Sequence, residues 1–156
     1  MRLQIVEQQL TPAVFCRMRE KVGFQPYPRE DVEAALEKTL YTVEARREGQ
    51  TVGIARVVGD GRIVFFIKDV AVDPACRGQG IGRMLMEALL RHIEARACEN
   101  AYVGLMATPG TEGFYEEFGF IRRPAPGLGH GMVKFVSPGS AAPEAGPACA
   151  PAPRWV

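Results

Sequence analysis

The stretch Ile63-Val64-Phe65-Phe66-Ile67-Lys68-Asp69-Val70-Ala71-Val72-Asp73-Pro74-Ala75-Cys76-Arg77-Gly78-Gln79-Gly80-Ile81-Gly82 decides how this chain folds. Its first half is rich in β-branched and aromatic residues and closes at Asp73-Pro74, so it reads as a strand. Its second half is a glycine-rich turn. Beyond the turn Ile81, Leu85, Ala88, Leu89 and Ile93 recur with a 3.6-residue period and predict a helix from Gly80 to about Cys98. Strand, glycine turn and helix start in that order make an anion cradle. The first-turn N–H groups have no partner within the helix, and the macrodipole favours negative charge there. Glycines at 78, 80 and 82 let a ligand approach the backbone without meeting a Cβ. Arg77 and Arg83 add positive charge at the rim. The expected ligand carries phosphate.

Three kinds of phosphate loop compete for a turn of this sort. A Walker A loop ends in Gly-Lys-Ser/Thr, whereas Gly82 is followed by Arg83-Met84. A dinucleotide fingerprint places its third glycine where Arg83 stands, and a side chain there crowds the helix against the strand. No acidic residue follows at the end of a next strand, which itself begins only near Asn100. The third kind fits. Arg77-Gly78-Gln79-Gly80-Ile81-Gly82 resembles the Arg/Gln-x-x-Gly-x-Gly/Ala loop of the GNAT superfamily of acetyl-CoA-dependent N-acetyltransferases. The wider string from Val70 to Gly82 is close to that family's commonest form. A second block, Gly113-Phe114-Tyr115-Glu116-Glu117-Phe118-Gly119-Phe120, resembles its Phe-Tyr-x-x-x-Gly-Phe element and follows a candidate strand at Ala101 to Met106. The resemblance covers residues 1 to 136.

Length and composition agree with one domain. At 156 residues the chain is long enough for a self-sufficient core. With 19 basic and 18 acidic residues there is no polyanion-binding signature, so no nucleic-acid partner is expected. No apolar run reaches the length of a membrane span, and Met1 to Leu10 alternates like a strand rather than a signal peptide. No membrane partner and a cytoplasmic location are therefore the expectations. Cys16, Cys76, Cys98 and Cys149 lie scattered, with no metal-ligand spacing, and read as reduced thiols; no metal is expected. Cys76 reads as a small residue filling a turn, although Arg77 and the helix start beside it are features that lower a thiol pKa.

Read in order, Leu3 to Glu7 alternates as a strand, and Thr11-Pro12 supplies an N-cap and N1 proline for a helix ending near Gly23. Arg29 to Lys38 reads as a second helix. Leu40 to Ala45 and Thr51 to Val58 read as strands joined at Glu48-Gly49-Gln50, with a further hairpin at Gly59-Asp60-Gly61. Thr111 to Phe118 is a short helix, and Phe120 to Arg122 and Gly131 to Val136 are expected final strands. The order β-α-α-β-β-β-α-β-α-β-β is the one the resemblance implies: an α/β fold with a mixed, twisted sheet and helices on both faces. Residues 1–136 form that domain. From Ser137 to Val156 the composition turns to Pro, Ala, Gly and Ser, too poor in apolar residues to offset ordering entropy, and a flexible tail is expected.

The resemblance also implies roles. The diphosphate of acetyl-CoA belongs on the N–H groups from Gln79 to Gly82, with Arg77, Gly78 and Arg83 at the rim. The pantetheine arm pairs like an extra strand with Val70, Ala71 and Val72, beside a bulge near Asp69-Val70. The N–H of Val70 is then a candidate oxyanion donor. Many relatives carry an Asn seven residues before the tyrosine; Thr108 stands there, and Thr111 stands where they carry Ala. Tyr115 matches the family's usual general acid, since a phenol of pKa about 10 can give its proton to a departing thiolate.

The acceptor half is less determined. Asp69, inside an apolar run, needs a reason to be there. Three roles are open to it: binding a substrate ammonium, acting as base through water, or pairing with Lys68 or an arginine. Glu44 and Glu33 are weaker base candidates, His92 reads as a boundary residue, and His130 lies in a glycine-rich loop. Phe24 and Tyr27, between the first two helices, suggest an aromatic wall. Together with Asp69 they point to a small cationic amine, acetylated by direct attack in a ternary complex. The alternatives are a protein or peptide amine, O- or S-acyl transfer, and a non-catalytic acyl-CoA sensor. Either a monomer or a homodimer is compatible with the chain.

Overall fold

The computed structural model describes residues 2–137, so the expected tail lies, but for Ser137, outside the described residues. The chain divides into two compact units, one ending at Pro109 and one beginning at Gly110.

The first unit is built on a sheet whose strand order repeats chain order. Strand β1 (Leu3–Glu7) pairs antiparallel with β2 (Tyr41–Arg47), β2 with β3 (Gln50–Gly59), and β3 with β4 (Val64–Val72). Strand β5 (Tyr102–Leu105) is parallel to β4. The tight turns have local causes. Glu48 and Gly49 both take positive φ, 51° and 77°, the primed hairpin geometry whose twist matches that of the strands. At the next turn the Asp60 carboxylate accepts the N–H groups of Arg62, Ile63 and Val64 at 2.8 to 3.0 Å, and these bonds hold its pKa below the usual range.

Two helices, α1 (Pro12–Lys21) and α2 (Arg29–Glu37), separate β1 from β2. The Thr11 hydroxyl accepts the Val14 N–H at 3.3 Å, and Pro12 occupies the first turn, as the sequence leads one to expect. Helix α3 (Ile81–Glu94) joins β4 to β5. Adjacent strand residues point to opposite faces, so the contacts of Gly53 and Ile54 show what covers each side. Gly53 lies beneath Ile81 and Leu85 of α3, whereas Ile54 belongs to the cluster of Phe15, Met18, Val32 and Ala71. Helices cover both faces, and the α/β reading holds.

The start of α3 is held by packing rather than by capping. Its N-cap, Gly80, has no side chain to offer. Ile81, Leu85, Met86, Ala88, Leu89 and Ile93 are all at most 2 % exposed. Each of the large apolar side chains contributes about 1.5–3 kcal/mol on burial. The helix ends at Glu94, earlier than its period suggests, because the chain turns away to bond the Cys98 N–H to the Arg62 carbonyl at 3.0 Å.

The second unit opens with α4 (Glu112–Glu116), shorter than expected. Gly119, at φ 90°, takes the left-handed conformation that follows a helix end, with its N–H on the Glu116 carbonyl at 3.0 Å. The two final strands expected at Phe120 to Arg122 and Gly131 to Val136 are not formed among the described residues. Pro124 and Pro126 remove two ladder donors, and the chain folds locally instead, with Ala125 and Leu128 exchanging both backbone bonds at 3.0 and 2.8 Å. Met132, Val133, Phe135 and Val136 are exposed and have no partner strand among the described residues.

Candidate coenzyme and acceptor site

The segment between β4 and α3 has the features of a candidate anion site. Asp73 caps a single 3-10 turn, Pro74–Cys76, by accepting the Ala75 N–H at 3.0 Å. Its carboxylate also pairs with Lys21, and these two bonds keep its pKa low. The chain then runs exposed through Arg77, Gly78, Gln79 and Gly80. Gly78 and Gly80 take φ of 75° and 80°, and a Cβ built on either meets no atom within 4 Å. The space over the loop is open, and only glycine holds this backbone without strain. Within α3 the first bond runs from the Met84 N–H to the Gly80 carbonyl, at 3.1 Å. The N–H groups before it have no helical acceptor, no side chain caps them, and the first turn contains no acidic residue. Arg77 is exposed and makes no ion pair among the described residues. A diphosphate fits these donors.

The neighbouring sheet edge fits an extended arm. Pairing of β4 with β5 stops at Ile67 with Leu105, while β4 continues to Val72. Along Lys68 to Val72 that edge has no strand beside it among the described residues. The register of β4 on β3 shifts between Ile54 and Arg56, so Asp69 and Val70 together oppose Ala55. This is a bulge, at the place the resemblance implies, and Asp69 sits in it at φ 57°. Asp is one of the few residue types that tolerates that conformation. Ala71 and Ile81 have side chains in the core, which leaves only their backbone for a ligand.

Asp69 requires a correction. Its side chain is 2 % exposed, one oxygen pairs with Arg19 and the other accepts Arg56 Nε at 2.5 Å. A carboxylate with both oxygens held by guanidinium groups is neither a free base nor an open negative charge for a substrate ammonium. Of the three roles open to it, pairing with arginine is the one the fold adopts. Arg19 in turn donates to the Gln25 carbonyl at 2.6 Å, and its Cζ lies over the rings of Phe24 at 5.2 Å and Tyr27 at 5.1 Å. Phe24 and Tyr27 thus both stand against an arginine. Glu44 is fully buried against Thr51 and Arg46, and Glu33 is exposed beside Arg29, so neither is poised as a base. His92 stacks on Tyr41 with ring centroids 4.0 Å apart.

Sequence reasoning missed three arginines. Arg47, at the end of β2, donates to Gln79 Oε1 at 2.5 Å and so steadies the loop. Arg19 falls four residues after Phe15 and one after Met18, on the buried side of α1, and Arg56 interrupts an apolar strand. A charge inside an apolar period was the available signal.

In the second unit Tyr115 packs edge-on against Phe114 at 5.0 Å and Phe120 at 6.2 Å. Burial raises its phenol above the ordinary value, so the proton is retained at neutral pH. Its hydroxyl makes no hydrogen bond among the described residues. Thr108 and His130 are exposed.

Comparison with known proteins decides the family. The family described as acetyltransferase (GNAT) domain matches residues 16–136. The chain belongs to the GNAT family. Among its relatives is serotonin N-acetyltransferase 2, chloroplastic, of Oryza sativa subsp. japonica, 34 % identical over 108 residues, which are 67 % of this chain and 53 % of that protein. The chloroplastic GCN5-related N-acetyltransferase 1 of Arabidopsis thaliana is 35 % identical over 66 % of this chain and 52 % of its own length. The chain thus spans about half the length of these curated relatives. Among solved structures, a probable acetyltransferase of unknown function from meticillin-resistant Staphylococcus aureus superposes with a TM-score of 0.78 at 31 % identity, covering 86 % of this chain and 100 % of that one. A GNAT family acetyltransferase from Streptococcus pneumoniae superposes at 0.73 with 28 % identity, covering 86 % and 98 %.

Proposed function

We propose that this chain is an acetyl-CoA-dependent N-acetyltransferase that acetylates a small primary amine by direct attack while both substrates are bound. One observation carries the reading: an uncapped helix start under an open glycine loop, next to a strand edge left unpaired beyond Ile67. That pair of features suits a ligand with a diphosphate at one end and an extended amide arm at the other. Family membership supports the identity of the ligand. The rice relative is named for serotonin, a small amine, which supports the acceptor class.

Bound acetyl-CoA supplies an activated acetyl group. The N–H groups from Gln79 to Gly82, with Arg77, hold the diphosphate, and the backbone of Val70 to Val72 holds the arm, with Thr108 as a further contact. The Val70 N–H donates to the carbonyl oxygen as negative charge grows on it. The amine nitrogen bonds to the acetyl carbon, the carbon–sulfur bond breaks, and the amine's surplus proton passes to solvent. Tyr115 gives its proton to the departing sulfur and recovers one from water. A reducing compartment is part of the proposal, since Cys16, Cys76 and Cys98 are unpaired thiols.

The test is calorimetry with CoA, followed by a panel of amines assayed for free-thiol release. Saturable binding together with amine-dependent release is expected. Binding without release for every amine would leave an acyl-CoA-binding domain, and absence of binding would refute the reading altogether.

A further inference from the structure

Arg19 on α1, Arg56 in β3 and Asp69 in the β4 bulge each interrupt an apolar pattern, and the fold brings them into one cluster. Their side chains are 10, 14 and 2 % exposed. An arginine stays protonated at any working pH, so two guanidinium groups against one carboxylate leave an excess positive charge. The other protein acceptors are neutral. The Gln25 carbonyl takes Arg19 Nη2, and the Thr39 hydroxyl accepts Arg56 Nη1 at 3.1 Å. Arg56 Nη2 has no acceptor among the described residues. Among the described residues no side-chain nitrogen or oxygen is both sealed from solvent and without a partner, so this spare donor faces solvent and is open to an anionic group. Arg19 ties α1 to the bulge and Arg56 ties the bulge to Thr39, and together they bring one positive charge more than Asp69 neutralises.

The cluster's place gives that charge a use. Asp69 immediately precedes Val70, whose N–H the proposed chemistry places at the reacting carbonyl. The faces of Phe24 and Tyr27 stand beside Arg19, and Tyr27 is 55 % exposed. An apolar wall beside a cationic floor suits a molecule with a hydrophobic body and an acid.

We propose that Arg19 and Arg56 read a carboxylate on the acceptor, so that the amine acetylated by this chain is one that also carries an anionic group. The inference rests on the N-acetyltransferase reading of the same site, and it reverses the preference for cationic amines expected from Asp69 alone.

The experiment has a binding arm and a kinetic arm, both on the full chain. In the first, 3-phenylpropionate is titrated calorimetrically into protein saturated with CoA. Arg56→Gln should weaken binding about ten- to hundredfold, the range for a lost charge-assisted hydrogen bond. Arg56→Lys should fall between, since it keeps the charge without the fork. Asp69→Asn, which removes the negative charge and one of the two acceptor oxygens, should bind the acid as tightly or more tightly; a merely structural cluster would give the opposite. Melting temperature and CoA affinity establish that each variant is folded. In the second arm, phenylalanine is compared with phenethylamine and 4-aminobutyrate with butylamine, and the acid of each pair should have the higher kcat/KM. Failure of the wild type to bind 3-phenylpropionate, or equal binding by Arg56→Gln, overturns the carboxylate proposal. So does preference for the members that lack the carboxylate, which leaves the acetyltransferase reading intact. That reading fails separately, by the absence of thiol release with every amine.

Discussion

Replacing Gly53 with alanine should disturb the coenzyme site from the opposite side of a helix. A Cβ at this position would lie 2.8 Å from Ile81 Cγ2 and 3.0 Å from Leu85 Cδ1. Carbon atoms in ordinary contact are about 3.5–4.0 Å apart, so something must move by roughly 0.5–1 Å. Ile81 is β-branched and 1 % exposed, so its side chain has little room to turn away. The helix start must therefore lift. Overpacking of this kind costs about 1–3 kcal/mol. At about 2–4 °C per kcal/mol for a chain of this length, the melting temperature should fall by roughly 2–12 °C. Because Ile81 is the first residue of α3, the cradle N–H groups shift with it. Losing one charge-assisted bond's worth of alignment weakens CoA binding by about tenfold. Differential scanning fluorimetry and calorimetry measure the two effects. Gly129→Ala, at a site with open space and no positive φ, is the control. A Gly53→Ala protein that melts and binds CoA like wild type would refute the claim that close packing over Gly53 sets the position of the cradle.

Tyr115→Phe should lower kcat at least about tenfold while the CoA dissociation constant stays within about twofold, as befits an acid acting late; stopped-flow thiol release and calorimetry check this. Since burial raises the Tyr115 pKa, no alkaline loss of turnover below about pH 10 should trace to it, as a wild-type pH–rate profile would reveal. Asp69→Ala leaves two nearly buried guanidinium groups without their carboxylate and should destabilise the protein by about 3–5 kcal/mol, read from urea unfolding. The His92 pKa is lowered by burial and by Arg96, so the folded state binds this proton less tightly than the unfolded state. Its contribution is present above the unfolded pKa near 6.5 and is lost as pH falls through the folded value. Melting temperatures between pH 8 and 5 should fall less steeply for His92→Phe, which keeps a ring against Tyr41.

Much of this architecture is legible residue by residue. Thr11-Pro12 marks the start of α1, Glu48-Gly49 marks a hairpin, and the period from Ile81 to Ile93 marks the buried face of α3; each is a local cause with a local effect. The glycine loop is legible for the same reason, because the backbone itself provides the donors. Asp69 is not. Its neighbours in sequence are Lys68 and Val70, while its partners come from α1 and from the adjacent strand, and only the tertiary fold selects pairing among the three roles open to it. The final strands fail for a related reason. Alternation at residues 131–136 describes a segment able to pair, but pairing needs a second edge, and Pro124 and Pro126 turn the chain into a local bridge first.

Helix α3 closes one side of the sheet and, in the proposed function, also supplies the donors for the coenzyme, so the two duties would be coupled. Fraying its first turn uncovers Ile81 and with it the strand beneath. Occupancy of the cradle should therefore register far from the ligand, as slower deuterium uptake along β2 and β3 as well as in the glycine loop. Protection confined to the loop would mean that the helix start moves independently of the sheet.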